Sequence, residues 1–216
     1  MSAIPTERRV PPQPIQHLLA TPRHALPTKL LHAALGLSVL WQLIGSNLMH
    51  RPKIGRPGNF FYEVHEFVGL LTLGLVLVFW FWAVLRQRGT PVGALLPWFS
   101  AARRCALIAD ARGSFAALRE RRFPTHGEEA PLATAVHGLG LLTALAMGAT
   151  GAWLFTLAVP AGLVLEAHKV IANLMWAYLV GHAGIAVLYQ FTKQPLLKAM
   201  FTSNLARHTP PIEGTK

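Results

Sequence analysis

Two histidines, His168 and His182, stand fourteen residues apart in LEAHKVIANLMWAYLVGHAGIAVLYQF, Leu165–Phe191, a stretch whose only charged residues are Glu166 and Lys169. Fourteen residues make nearly four whole helical turns, so both imidazoles leave one face, about 21 Å apart along the axis at 1.5 Å per residue. Neutral imidazole is the commonest metal ligand among side chains. Two further histidines share a local pattern: Gly36 follows His32 by four residues and Gly69 follows His65 by four, while Gly181 and Gly184 flank His182. The i+4 position sits beside the histidine on a helix. Glycine there leaves room for a flat ring such as a porphyrin, although close helix crossings favour glycine too.

The elements that must position these histidines are apolar. Of the 216 residues, 52% are hydrophobic and 13% charged, where a soluble domain carries roughly a quarter charged residues. Segments 30–49, 62–85, 132–155 and 167–191 are each long enough to cross a bilayer, which takes about 20 largely apolar residues. Backbone amides in lipid must be bonded within their own segment, so the spans are helices. The expected fold is all-α: an integral membrane four-helix bundle, one domain over residues 30–201, with a loop at 86–131. Residues 1–29 are proline-rich with no continuous apolar core, which fits a disordered tail rather than a cleaved export signal. Residues 202–216 form a second tail.

Charge gives the orientation. The chain carries a formal +11, which could suggest nucleic acid, but the distribution points elsewhere. Sixteen lysines and arginines fall in the two tails and the middle loop, from Arg8 to Lys29, Arg86 to Arg122 and Lys193 to Lys216. Four fall on the other side: Arg51, Lys53, Arg56 and Lys169. This is the positive-inside asymmetry, and it reports topology and anionic lipid, not nucleic acid. Both termini and the middle loop are therefore expected in the cytoplasm.

Orientation assigns each histidine a depth. His32 opens the first span on the inner side. His65 opens the returning second span on the outer side. In the fourth span His168 is outer and His182 inner. The histidines therefore sort into an inner pair, His32 with His182, and an outer pair, His65 with His168. A single intramembrane histidine is often only a helix–helix hydrogen bond. Four of them at two depths fit two stacked haems, since ionisable groups in a bilayer are costly and usually functional. His137 enters the third span at the inner level, as a haem-propionate partner, a subunit contact or a rival ligand. His50 shares the His32 face but borders a loop. His17, His24, His126 and His208 fall in tails or loops and are expected to be solvated.

Other chemistries fit less well. The one cysteine, Cys105, excludes an internal disulfide, a CxxCH haem attachment and a cysteine zinc site. HEFVG at His65 begins like the zincin motif but has Gly69 where the second histidine belongs. Glu63, Glu66 and Glu166 cluster near the outer ends, whereas a proton-coupled carrier wants deeper carboxylates. Nor are there broken helices in matching halves, as a transporter would show.

His32, His65–x3–Gly69 and AHKVIANLMWAYLVGHAG together resemble the bacterial di-haem cytochrome b561 family, which includes b-type membrane subunits of hydrogenases and formate dehydrogenases. The resemblance covers about Leu30 to Met200 and includes FTKQPLLKAM after the fourth span. It implies a cytoplasmic-membrane protein with two non-covalent b haems on His32, His65, His168 and His182, exchanging electrons with quinone. It also implies work as the membrane subunit or partner of a respiratory redox enzyme, with a periplasmic or membrane redox subunit and a homodimer as possible associations. The long, basic middle loop is similar to the dehydrogenase-anchor branch and sets the chain apart from the shortest members. It weighs against the alternative of a free-standing superoxide:quinone oxidoreductase, an activity of part of the family. The remaining alternative is a haem-free carrier or assembly protein. Within the loop, Ser100–Arg122 interleaves arginines with apolar residues and reads as an interfacial amphipathic helix ahead of a docking surface. Lys53 and Arg56 are expected near the outer propionates, where snorkelling to lipid phosphate is an equal explanation.

Overall fold

The computed structural model describes residues 26–86, 90–122 and 130–190. Its regular elements there are helices: α1 Leu26–Gly45, α2 Phe60–Leu85, α3 Val92–Leu95, a 3-10 turn Pro97–Phe99, α4 Ala101–Arg119, α5 Pro131–Phe155 and α6 Gly162–Gln190. Among the described residues, α2, α5 and α6 are long and apolar enough to cross a membrane. The first expected span, 30–49, maps onto α1, which falls outside that set. Its Lys29, His32, Ser38 and Gln42 dilute an otherwise apolar run.

The four long helices pack in chain order, α1 on α2, α2 on α5 and α5 on α6. Leu43, Val76, Ala144 and Met175, one from each, close a buried core cluster. A second cluster joins Phe79, Ala83 and Leu141 to Leu95 of α3. The outward surface carries large apolar side chains, with Leu37, Phe67, Phe81 and Val180 each about two-thirds exposed (66–70%). Helices hydrophobic all round are what a membrane requires. Hydroxyls within them are satisfied locally: Thr72 donates to Val68 O (2.7 Å) and Thr143 to Leu139 O (2.8 Å). This back-bonding lets a threonine sit in an apolar helix.

Helix ends follow their caps. α1 stops at Gly45, short of Met49, where Ser46 Oγ and Asn47 Nδ2 donate back to Leu43 O. Asn59 caps α2: its Oδ1 accepts from the backbone N–H groups of Tyr62 (3.1 Å) and His50 (2.9 Å), and its Nδ2 donates to Leu48 O. One side chain thus fixes both the α1–α2 loop and the start of the helix that carries His65. The expected loop helix is α4, entered through Ser100 and bearing no buried residue. It is tied to the bundle where Asp110 Oδ2 accepts from Leu132 N (2.9 Å). Ahead of it α3 presses so closely on α5 that a Cβ at Gly138 would run into the Leu95 carbonyl. Only glycine allows that approach.

Candidate functional site

The structure gathers the histidines of four helices into two groups. His65 of α2 faces His168 of α6, ring centres 6.4 Å apart and planes at 81°. Some four turns along α6, His182 faces His32 of α1, centres 6.1 Å apart and planes at 54°. Each partnership is the one that depth alone suggests. His137 of α5 joins the second group at 5.2 Å from His182. Tyr178, one turn before His182, stacks on its ring with centres 5.4 Å apart and planes at 11°. The Tyr178 ring occupies the space that a Cβ at Gly140 would need.

The His65–His168 group opens onto a cavity of about 360 Å³, within the range of small-molecule sites. Its wall includes Gln42, Tyr62, Glu66, Gly69, Gly148 and Gly151, with Arg51 and Lys169 supplying positive charge. Thr150 Oγ1 stands 2.8 Å from His168 Nδ1. Gln42 Nε2 donates to the His65 backbone carbonyl (2.8 Å). Among the described residues, Gln42 Oε1 and His65 Nδ1 are buried without a hydrogen-bond partner. Buried polar atoms are rarely left so, and the Gln42 oxygen at the cavity wall asks for an explanation such as a bound group.

The remaining candidates separate. Lys53 and Arg56 bond to each other through their backbones, N to O at 2.9 Å in both directions, and neither lines the cavity. His50 is held in the loop beside Asn59, with 3.1 Å between its Nδ1 and Asn59 Nδ2. A Cβ at Gly36 or Gly181 would meet nothing, whereas beside Gly69 the space is taken by Gln42 Nε2 (2.8 Å). His17, His24, His126 and His208 lie outside the described residues, as does FTKQPLLKAM.

Comparison with known proteins supplies what geometry alone does not. The family model of prokaryotic cytochrome b561 matches residues 23–203. The chain belongs to this family. No curated protein and no solved structure matches it. As a member of the cytochrome b561 family it is a membrane protein of b-type haem electron transfer. The match spans both histidine groups and all four long helices.

Proposed function

We propose that α1, α2, α5 and α6 form a four-helix membrane bundle, one domain over residues 30–201, in a bacterial cytoplasmic membrane. Both termini and the 86–131 loop face the cytoplasm. The bundle holds two non-covalent b haems, an outer one between His65 and His168 and an inner one between His32 and His182. The observation that carries this reading is the pairing distance. Two imidazoles on opposite sides of one metal ion, each nitrogen about 2 Å from it, have ring centres roughly 6 Å apart. The two pairs stand at 6.4 and 6.1 Å. His137, at 5.2 Å from His182, is too near for an iron between them, so it borders the inner haem without ligating it. Gly36 and Gly181 leave open space for a haem edge, while Gly69 makes room for Gln42.

A haem with both axial positions filled by histidine supplies one-electron transfer rather than oxygen binding. The protein's part is to hold the rings, exclude water with Leu43, Val76, Ala144 and Met175, and set two levels about 21 Å apart across the bilayer. This arrangement suits passage of electrons across the membrane and exchange with quinone, as membrane subunit or partner of a respiratory redox enzyme. Pyridine haemochrome analysis of the pure chain is expected to approach two haem b per polypeptide. A value near one, or haem that survives acid–acetone extraction, would sink the reading.

Counter-charge for the outer propionates is assigned to Arg51 and Lys169, which line the cavity, ahead of Lys53 and Arg56, which do not. Loss of nearby positive charge makes reduction less favourable, with ion-pair energies large where water is scarce. Arg51→Gln with Lys169→Gln is therefore expected to lower the outer haem's potential alone. Redox titration checks this against Lys53→Gln with Arg56→Gln. A larger shift in the second pair of variants would return the role to Lys53 and Arg56.

A further inference from the structure

We propose that Thr150 is a positioning residue for His168: its hydroxyl oxygen accepts the His168 Nδ1 proton and so presents Nε2 to iron with its lone pair free. This rests on the di-haem reading above and deepens it. Thr150 belongs to α5, where its Oγ1 stands 2.8 Å from His168 Nδ1 on α6. A hydroxyl has a single proton to give. Here that proton is directed at the helix backbone, with Ala146 O at 2.8 Å and Met147 O at 3.0 Å. Oγ1 therefore turns a lone pair to the ring, and the hydrogen between them belongs to Nδ1. A neutral imidazole protonated on Nδ1 has a bare Nε2, the form that ligates a metal. Gly151 completes the fit, since a Cβ there would already stand 3.4 Å from His168 Cε1.

The two outer ligands are thereby unequal. His168 ends a relay running from ring to hydroxyl to backbone carbonyl. His65 Nδ1, opposite, is buried with no hydrogen-bond partner among the described residues. An acceptor behind a ligating histidine fixes its tautomer and raises its basicity, which favours the oxidised iron. Thr150 accordingly sets the outer haem's potential below the value His168 would give alone.

The test uses the full chain with Thr150→Val, equal in shape but without an acceptor, and Thr150→Ser, which keeps one. Optical redox titration resolves the two haems, and low-temperature electron paramagnetic resonance reads the ferric ligand field. Thr150→Val is expected to raise the outer potential by about 59 mV, which is a tenfold change for a one-electron couple. The inner potential should not move, and Thr150→Ser should restore the outer one. If Thr150→Val loses the outer haem, its retention in Thr150→Ser supports the same role. Loss in both assigns Thr150 to packing and overturns the proposal. Two haems with unchanged potentials in Thr150→Val also overturn it, leaving the di-haem reading intact. An unsubstituted chain with no b-type spectrum would instead remove that reading.

Discussion

His65→Ala is expected to cost the protein one of two haems, and His168→Ala to cost it the same one. The rings face each other at 6.4 Å, and a site that has lost one axial ligand is already broken. The double variant should therefore look like either single one. The inner haem should persist in all three, with its spectrum little changed. His65 cannot reach His182, because fourteen helical residues put about 21 Å between the two levels. His32→Ala and His182→Ala are expected to remove the other haem, while His137→Ala and His50→Ala retain both. Haem content and the two steps of a redox titration decide the matter. Loss of different haems on removing His65 and His168 would overturn the pairing, and bleaching by His137→Ala would make that residue a ligand.

The histidine groups were legible from sequence because depth in a membrane is nearly a linear coordinate. Hydropathy locates the spans, lysine and arginine orient them, and 1.5 Å per residue converts position into height. His65 and His168 are 103 positions apart in the chain yet meet because each stands near the start of its long helix, α2 or α6. The same coordinate could have found Thr150. It lies near the C-terminal end of α5, level with His168, and a hydroxyl there is a polar exception among apolar neighbours. Azimuth was not legible, because helices apolar on every side carry little sign of which face turns inward. Without it, Gln42 could not be placed beside Gly69, nor Tyr178 on His182, nor could Arg51 be preferred to Arg56. The ends of α1 and α2 depended on single side chains, Ser46, Asn47 and Asn59, whose bonds override the apolar count. α3 was missed for a similar reason: four residues carry no period, and its site on α5 depends on Gly138, far along the chain.

Gly140→Ala is expected to damage the inner site and spare the outer one. The added methyl would occupy the space of the Tyr178 ring and hydroxyl. Tyrosine turns about two side-chain bonds only, so the ring cannot fold aside within its own site. It must swing off His182, on which it stacks at 5.4 Å, or α5 and α6 must separate. Overpacking of this kind costs about 1–3 kcal/mol in a well-packed interior. The inner haem should fall in occupancy or shift in potential, since His182 loses the surface that holds its ring in place. The His65–His168 group lies about three turns away, around a cavity that Gly140 does not line, so the outer haem proposed there should be spared. Combining Gly140→Ala with Tyr178→Ala removes the collision and should recover part of the thermal stability lost by the first change. It should not recover the inner haem's original potential, because the stacked ring is gone. A double variant no more stable than the single one would show that the methyl meets something other than Tyr178. Equal damage to both haems would mean that the α5–α6 contact at Gly140 supports the whole bundle rather than one level of it.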